Sequence, residues 1–303
     1  MKYLIIIFII LEAKMYKTSV DEINPGDNVI IGLGDSFTQG MGTYSTETWA
    51  SISDQNPPLY NIHGQHFIEE QGQGSWVRQL VRNHLPGYKT YNLGINGGGN
   101  RAAVKELYLN PLPEGLNNVI CILMCTGMER FDFLKKDNET AGINWHQKWQ
   151  TIFPCQSDRG TISELDSAYF NHIWRSRSDA LELLMTISDA ENFCRARGYK
   201  FLFASAFDRM INKEGVKQFL EDKPEYIYIA NWDNFISTGD YWAIMDIVNQ
   251  QENPPMSMHE IFAFCQQLKM PTKYLTPCAH WSKEGAAFVA KFLYEEIQKR
   301  NLI

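Results

Sequence analysis

The chain has 303 residues, 44% of them hydrophobic, and a formal net charge of -7. That length and apolar content suffice to bury a sizeable core, in one large domain or a domain carrying insertions. The acidic balance and the lack of any long basic patch argue against nucleic acid as a partner. At the amino terminus, Lys2 and the apolar run from Tyr3 to Leu11 have the charged start and apolar core of an export signal, but Glu12-Ala13-Lys14 is a poor cleavage region. The run is too short for a stable membrane span. Export, retention as a packed strand or helix, and a true start at Met15 stand as alternatives, so localisation is left as cytoplasmic or exported.

The first strand is read in Val29-Ile30-Ile31-Gly32-Leu33, which runs into Gly34-Asp35-Ser36-Phe37-Thr38-Gln39-Gly40. A serine at a strand end followed by small residues lies at the carboxyl edge of a sheet, where α/β proteins collect their chemistry. The alternative is a tight turn capped by Asp35 and Ser36. A polar stretch to Gly74 follows, containing Asn56-Pro57-Pro58 and Gly72-Gln73-Gly74, and reads as a long loop at the rim of a site. Trp76, Val77, Leu80, Val81 and Leu85 then form one face of a helix that ends at Pro86-Gly87. The strand Lys89-Thr90-Tyr91-Asn92-Leu93 leads into Gly97-Gly98-Gly99, and Asn100 can cap a helix through Leu107. A buried strand runs from Val119 to Met124. The segment from Phe131 to Arg177 is irregular and rich in aromatics, among them Phe133, Trp145, Trp149, Phe153, Tyr169, Phe170 and Trp174. It reads as an insertion, either a lid over a site or a satellite core.

A helix with Ala180, Leu183, Leu184, Ile187 and Cys194 inward starts at Asp179 and stops at Gly198. Strands are expected over Phe201–Ala206, followed by Asp208, and over Tyr226–Ala230, followed by Asp233. Near the carboxyl end, Pro277-Cys278-Ala279-His280-Trp281-Ser282 precedes an amphipathic helix whose inward face is Ala286, Ala287, Val289, Ala290, Leu293 and Ile297, with Ser282 as its N-cap. His280 then sits on a loop at a helix start, free to take the proton of Ser36. This alternation of strand and helix predicts a parallel, doubly wound sheet with right-handed crossovers.

Together these blocks resemble the SGNH or GDSL family of serine esterases. The first block is met by Gly34-Asp35-Ser36 with Gly40, and the second by Asn92-Leu93-Gly94-Ile95-Asn96-Gly97. In the third, where the family has Gly-x-Asn-Asp, this chain reads Gly127-Met128-Glu129-Arg130. In the last, Pro277 stands where the family has the aspartate of Asp-x-x-His. The resemblance spans most of the chain. It implies a flavodoxin-like three-layer α/β/α fold with a parallel five-stranded sheet, one domain over 1–303, and insertions at 43–73, 131–177 and 234–276.

It further implies a hydrolase of small-molecule or carbohydrate esters that uses Ser36 as nucleophile and His280 as base, with no metal or organic cofactor. The amides of Ser36 and Gly97 would form the oxyanion hole. An ionised Glu129 would repel the oxyanion, so the third donor is either a neutral Glu129 or a displaced Asn96 or Asn100. Glu129 paired with Arg130 or another cation, as a strand-end salt bridge, is the structural alternative. With the aspartate missing, a backbone carbonyl, Asp208 or Asp233 could orient the imidazole.

Other motifs weigh less. The six cysteines form no metal or redox pattern, and Cys278 could act as a second nucleophile beside His280. His63, His66, Glu69 and Glu70 have metal-compatible spacing in a polar loop. Gly32-Leu33-Gly34 and Gly97-Gly98-Gly99 could cradle phosphate, but the dinucleotide fingerprint fails at Phe37. The rival function is a binding or structural module that kept the fold and lost catalysis, and oligomeric state is not readable from the residues.

Overall fold

The computed structural model describes residues 21–53, 72–95, 98–128, 130–134, 149–152, 176–239, 243–254, 256, 258–268 and 270–303. Its centre is a sheet of β1 (Asn28–Gly34), β2 (Tyr88–Gly94), β3 (Val119–Cys125) and β6 (Lys200–Ser205), in the order β2-β1-β3-β6. All three pairings are parallel, with Ile31 opposite Tyr91 and Cys121, and Cys121 opposite Phe201. A separate antiparallel pair joins β4 (Phe131–Leu134) to β5 (Trp149–Ile152).

Parallel strands covered on both faces are built from near-continuous apolar runs, and alternate residues serve opposite layers. Ile30, Ile120, Ile122, Met124, Leu202 and Ala204 point to one layer, where α3 (Trp76–His84) and α9 (Lys283–Lys299) pack. Val29, Ile31, Leu33, Cys121, Leu123, Phe201 and Phe203 point to the other, against α4 (Asn100–Leu109) and α5 (Ser176–Ala196). The fold is therefore α/β in three layers. Helix α3 starts at Ser75, whose side chain accepts from the Arg78 amide, and α9 starts at Ser282, which accepts from Gly285.

Two expectations need correction. The sheet has four strands among the described residues, not five. The fifth place is marked only by Phe235, which makes an isolated parallel bridge to Phe203, with the Ile236 amide donating to Phe203 O at 2.8 Å. The segment read as a strand over Tyr226–Ala230 is instead a 3-10 helix, Pro224–Ile229. Ile227 and Ala230, three apart, are buried, while Tyr228 between them is 75% exposed. Pro224 at the first turn presets helical φ, and a spacing of three matches the 3-10 repeat.

The remaining described helices are short: α1 (Ser36–Gln39), α2 (Thr46–Ser53), α6 (Lys213–Gln218), α7 (Ile244–Asn249) and α8 (Met258–Gln267). Helices α7 and α8 lie in the expected 234–276 insertion and bury Ile244, Met245, Val248, Ile261 and Cys265 in the same layer as α9. The region is pinned by Arg209, which is paired with Asp246 at 2.6 Å and donates to Met256 O at 2.6 Å. The amino-terminal run 3–11, the His63–Glu70 stretch and the aromatics Trp145, Phe153, Tyr169, Phe170 and Trp174 lie outside the described residues. Among the described residues no helix is long and apolar enough to cross a membrane.

Candidate active site

Strand β1 delivers Asp35 and Ser36 to the carboxyl edge of the sheet, between the ends of β2 and β3 on either side. The connection after β1 leads to β2 on one side and the connection after β3 leads to β6 on the other, so the ends of β1 and β3 form the switch point where open α/β sheets bind ligands. Asp35 is fully buried and caps the one-turn helix α1, its Oδ1 accepting from the Phe37 amide at 3.0 Å. The expected tight turn is a one-turn helix, in which Asp35 is the cap and Ser36 the first helical residue.

The second block is built around the first. Asn92 Nδ2 donates to Thr38 O at 2.8 Å, its Oδ1 accepts from Gly94 N at 2.9 Å, and Ile95 N donates to Gly34 O at 2.9 Å. Gly94 allows this close approach, since a Cβ there would lie 2.2 Å from Gln39 N.

His280 arrives from the other end of the sequence on a tight loop. Thr276 Oγ1 accepts from His280 N at 3.1 Å and donates to His280 O at 3.0 Å, and Leu275 bridges Trp281. Ala279 takes φ 58° to make the turn, a region costly for a residue with a Cβ. Gly42, at φ +92°, passes beneath this loop where a Cβ would meet His280 Cβ and Trp281 O at 3.0 Å. The Phe37 ring packs on the imidazole with centroids 4.6 Å apart and on Trp281 at 4.7 Å.

Ser36 Oγ lies 2.7 Å from His280 Nε2, although the two residues are 244 positions apart. On the far side of the ring, Nδ1 is 2.7 Å from Cys278 O. A carbonyl only accepts, so Nδ1 carries the proton, and the neutral ring turns the Nε2 lone pair to the serine hydroxyl. Ser36 is 6% exposed. Burial lowers the imidazole pKa, but the Cys278 thiol and backbone and the Asp35 carboxylate outweigh it, and the net shift is upward. Burial likewise raises the Cys278 thiol, yet the His280 ring and the Thr276 hydroxyl bring it below its usual range.

Asn100 does not cap its helix; Gly99 takes that position. Its side chain is spent on the end of β3, accepting from Thr126 N at 2.8 Å and donating to Thr126 O at 3.3 Å. Asp208 accepts from Met128 N at 3.2 Å and Met210 N at 2.9 Å. Burial raises its carboxyl pKa, partly offset by those amides and by Arg130. Asp233 is an exposed residue of a second 3-10 turn, Trp232–Asn234. His280 Nδ1 is bonded to the Cys278 carbonyl and to neither carboxylate. Asn96, Gly97 and Glu129 lie outside the described residues.

Arg130, expected only as a partner for Glu129, pairs with Asp35 Oδ2 at 3.0 Å and donates to Gly98 O at 2.9 Å. Its adjacency to the third block is the only signal of this in the sequence. Among the described residues no cluster of His, Cys, Asp and Glu is disposed to hold a metal ion.

No protein-family model matches the chain. A stretch of 149 residues is 28% identical to protein-glutamine gamma-glutamyltransferase K of Canis lupus familiaris, covering 48% of this chain and 18% of that protein. The Rattus norvegicus protein of the same name is 28% identical over 150 residues, or 17% of its length. The chain thus spans under two thirds of the length of these curated relatives. Among solved structures it is similar to the acetyl xylan esterase AlAXEase, with a TM-score of 0.38 and 13% identity over 88% of this chain and 98% of that one. At that score neither the activity nor the substrate of the neighbour transfers to this chain.

Proposed function

We propose that this chain is a serine-dependent ester hydrolase working through an acyl-enzyme on a small-molecule or carbohydrate oxygen ester. The reading is carried by the relay from Ser36 Oγ to His280 Nε2 and from Nδ1 to the Cys278 carbonyl, each step 2.7 Å. Ser36 Oγ attacks the ester carbonyl while its proton passes to Nε2, giving a tetrahedral oxyanion and an imidazolium. The Cys278 carbonyl holds that imidazolium in place, the task an aspartate performs in a triad. Collapse breaks the bond to the alcohol oxygen, which takes the proton from Nε2. Water then repeats the sequence on the acyl-serine, releasing the acid and restoring Ser36.

The oxyanion needs donors. The Ser36 amide is a first-turn helix amide with no intrahelical acceptor, which supports it as one of them. Gly97 N is proposed as the second, with a neutral Glu129 or Asn96 as the third. Asn100 is the weaker candidate because its amide group is engaged with Thr126.

Treatment with a fluorophosphonate probe should label Ser36 in the wild type and fail in His280→Ala, and a screen of nitrophenyl esters and acetylated sugars should find turnover lost in Ser36→Ala. An inert Ser36 in the wild type would instead favour a binding module.

A further inference from the structure

We infer that Arg130 is a positioning residue for the Ser36 centre, tying together the loops that meet at the nucleophile. The inference rests on the hydrolase reading and adds a component to it.

Strand β1 lies between β2 and β3, so the loop after β3 must cross the end of β1 to reach the loop after β2. Arg130 makes that crossing. One guanidinium nitrogen, Nη1, donates both to Oδ2 of Asp35, the residue before Ser36, and to the carbonyl of Gly98. The Arg130 side chain is 16% exposed and the Asp35 side chain 0%. Its guanidinium carbon lies 5.2 Å from the Phe207 ring centroid, and Phe207 in turn packs on Phe37 at 5.4 Å. Loops following all four strands of the parallel sheet therefore meet at one planar cation.

Asp35 is committed on both sides: Oδ1 fixes the amide of Phe37, and Oδ2 takes Arg130. Gly98 is also held from within, its amide donating to Ile95 O at 2.9 Å. The cation thus sets the spacing between the peptide that carries Ser36 and the Gly98 backbone. The two N–H groups of a planar guanidinium nitrogen hold two acceptors in a fixed relation, which a rotating ammonium on a flexible stem does not. Displacement of a reacting group by about 1 Å can cost about a hundredfold in rate, so this spacing should register in turnover more than in binding.

Three proteins test the inference: Arg130→Lys, Arg130→Met, and the double variant Asp35→Asn/Arg130→Met. The single Met variant strands a buried carboxylate and is expected to fold poorly. The double variant removes both charges, while the carboxamide oxygen introduced by Asp35→Asn keeps an acceptor for the Phe37 amide. Competent sites are counted by fluorophosphonate titration of Ser36, and ester turnover is expressed per titrated site. A role confined to stability lowers the number of sites and leaves that ratio unchanged.

The expected result is a loss of about a hundredfold in turnover per site in the double variant and a smaller loss in Arg130→Lys, with KM within about threefold of wild type. Turnover per site within about threefold of wild type in the double variant, or a raised KM with unchanged kcat, overturns the inference. Should the double variant show no folding transition, Arg130→Lys decides by the same thresholds. If the wild type itself is not labelled at Ser36, the hydrolase reading fails first and Arg130 with it. Labelling of wild type with unimpaired variants removes Arg130 alone.

Discussion

A hydroxyl bonded to an imidazole can be activated only while the ring is neutral. On the proposed mechanism kcat/KM therefore falls as pH drops through the His280 pKa. Burial pulls that pKa down, but Cys278 and then Asp35 hold it above its usual value near 6.5. Removing the thiol removes the larger upward influence. Cys278→Ala should accordingly move the acid limb of kcat/KM to lower pH, and an unchanged or higher midpoint in the pH profile would refute this electrostatic account. The Cys278 carbonyl survives that substitution, so the relay itself stays intact. The Asp233 carboxylate takes no part in the relay, so Asp233→Ala should leave turnover within about threefold of wild type. Ser36 and His280 are legible in the sequence because their local settings, a strand end and a helix start, are written in neighbouring residues. The carbonyl facing Nδ1 is legible only as a class, since any peptide can supply one and the turn at Ala279 decides which does.

At the level of elements, the ends of strands and helices carry the site. Gly94 closes β2 against the backbone of α1, and a methyl group there would sit 2.2 Å from Gln39 N and 2.7 Å from its Cα. Backbone cannot swing aside as a side chain does. Gly94→Ala should cost about 1–3 kcal/mol in urea unfolding and lower turnover per titrated site, because the strain falls on the helix that begins with Ser36. Ser282 fixes the start of α9 two residues after His280, accepting from Gly285 N at 3.1 Å and donating to Lys273 O. Ser282→Ala should cost about 1 kcal/mol by the same measurement. Capping serines and the apolar spacing of α3, α5 and α9 are local signals and can be read directly. Segment 226–230 departs from its strand reading because an apolar run shorter than two helical turns suits a strand as well as a 3-10 helix until burial shows its period.

Across the whole molecule, the buried helix layers carry stability and the carboxyl edge of the sheet holds the candidate site. Leu293 is fully buried on α9, in the layer that also receives Ile30, Ile122 and Leu202. Leu293→Ala should destabilise by about 2–5 kcal/mol in urea while turnover per titrated site stays near wild type. Alternation along the chain was enough to determine the parallel α/β class, because a strand buried on both faces must be apolar throughout and its crossovers must be helical. The blocks at Ser36 and His280 were likewise determined by sequence, as residue types in a local frame. The tertiary structure alone decided that the described sheet stops at four full strands, that a carbonyl holds the imidazole, and that Arg130 spans β1 to reach Asp35 and Gly98. Strand neighbours and these contacts of Arg130 join groups distant along the chain, set by how the strands are ordered in space. The carbonyl is close in sequence to its ring, yet only the folded turn at Ala279 aims it there.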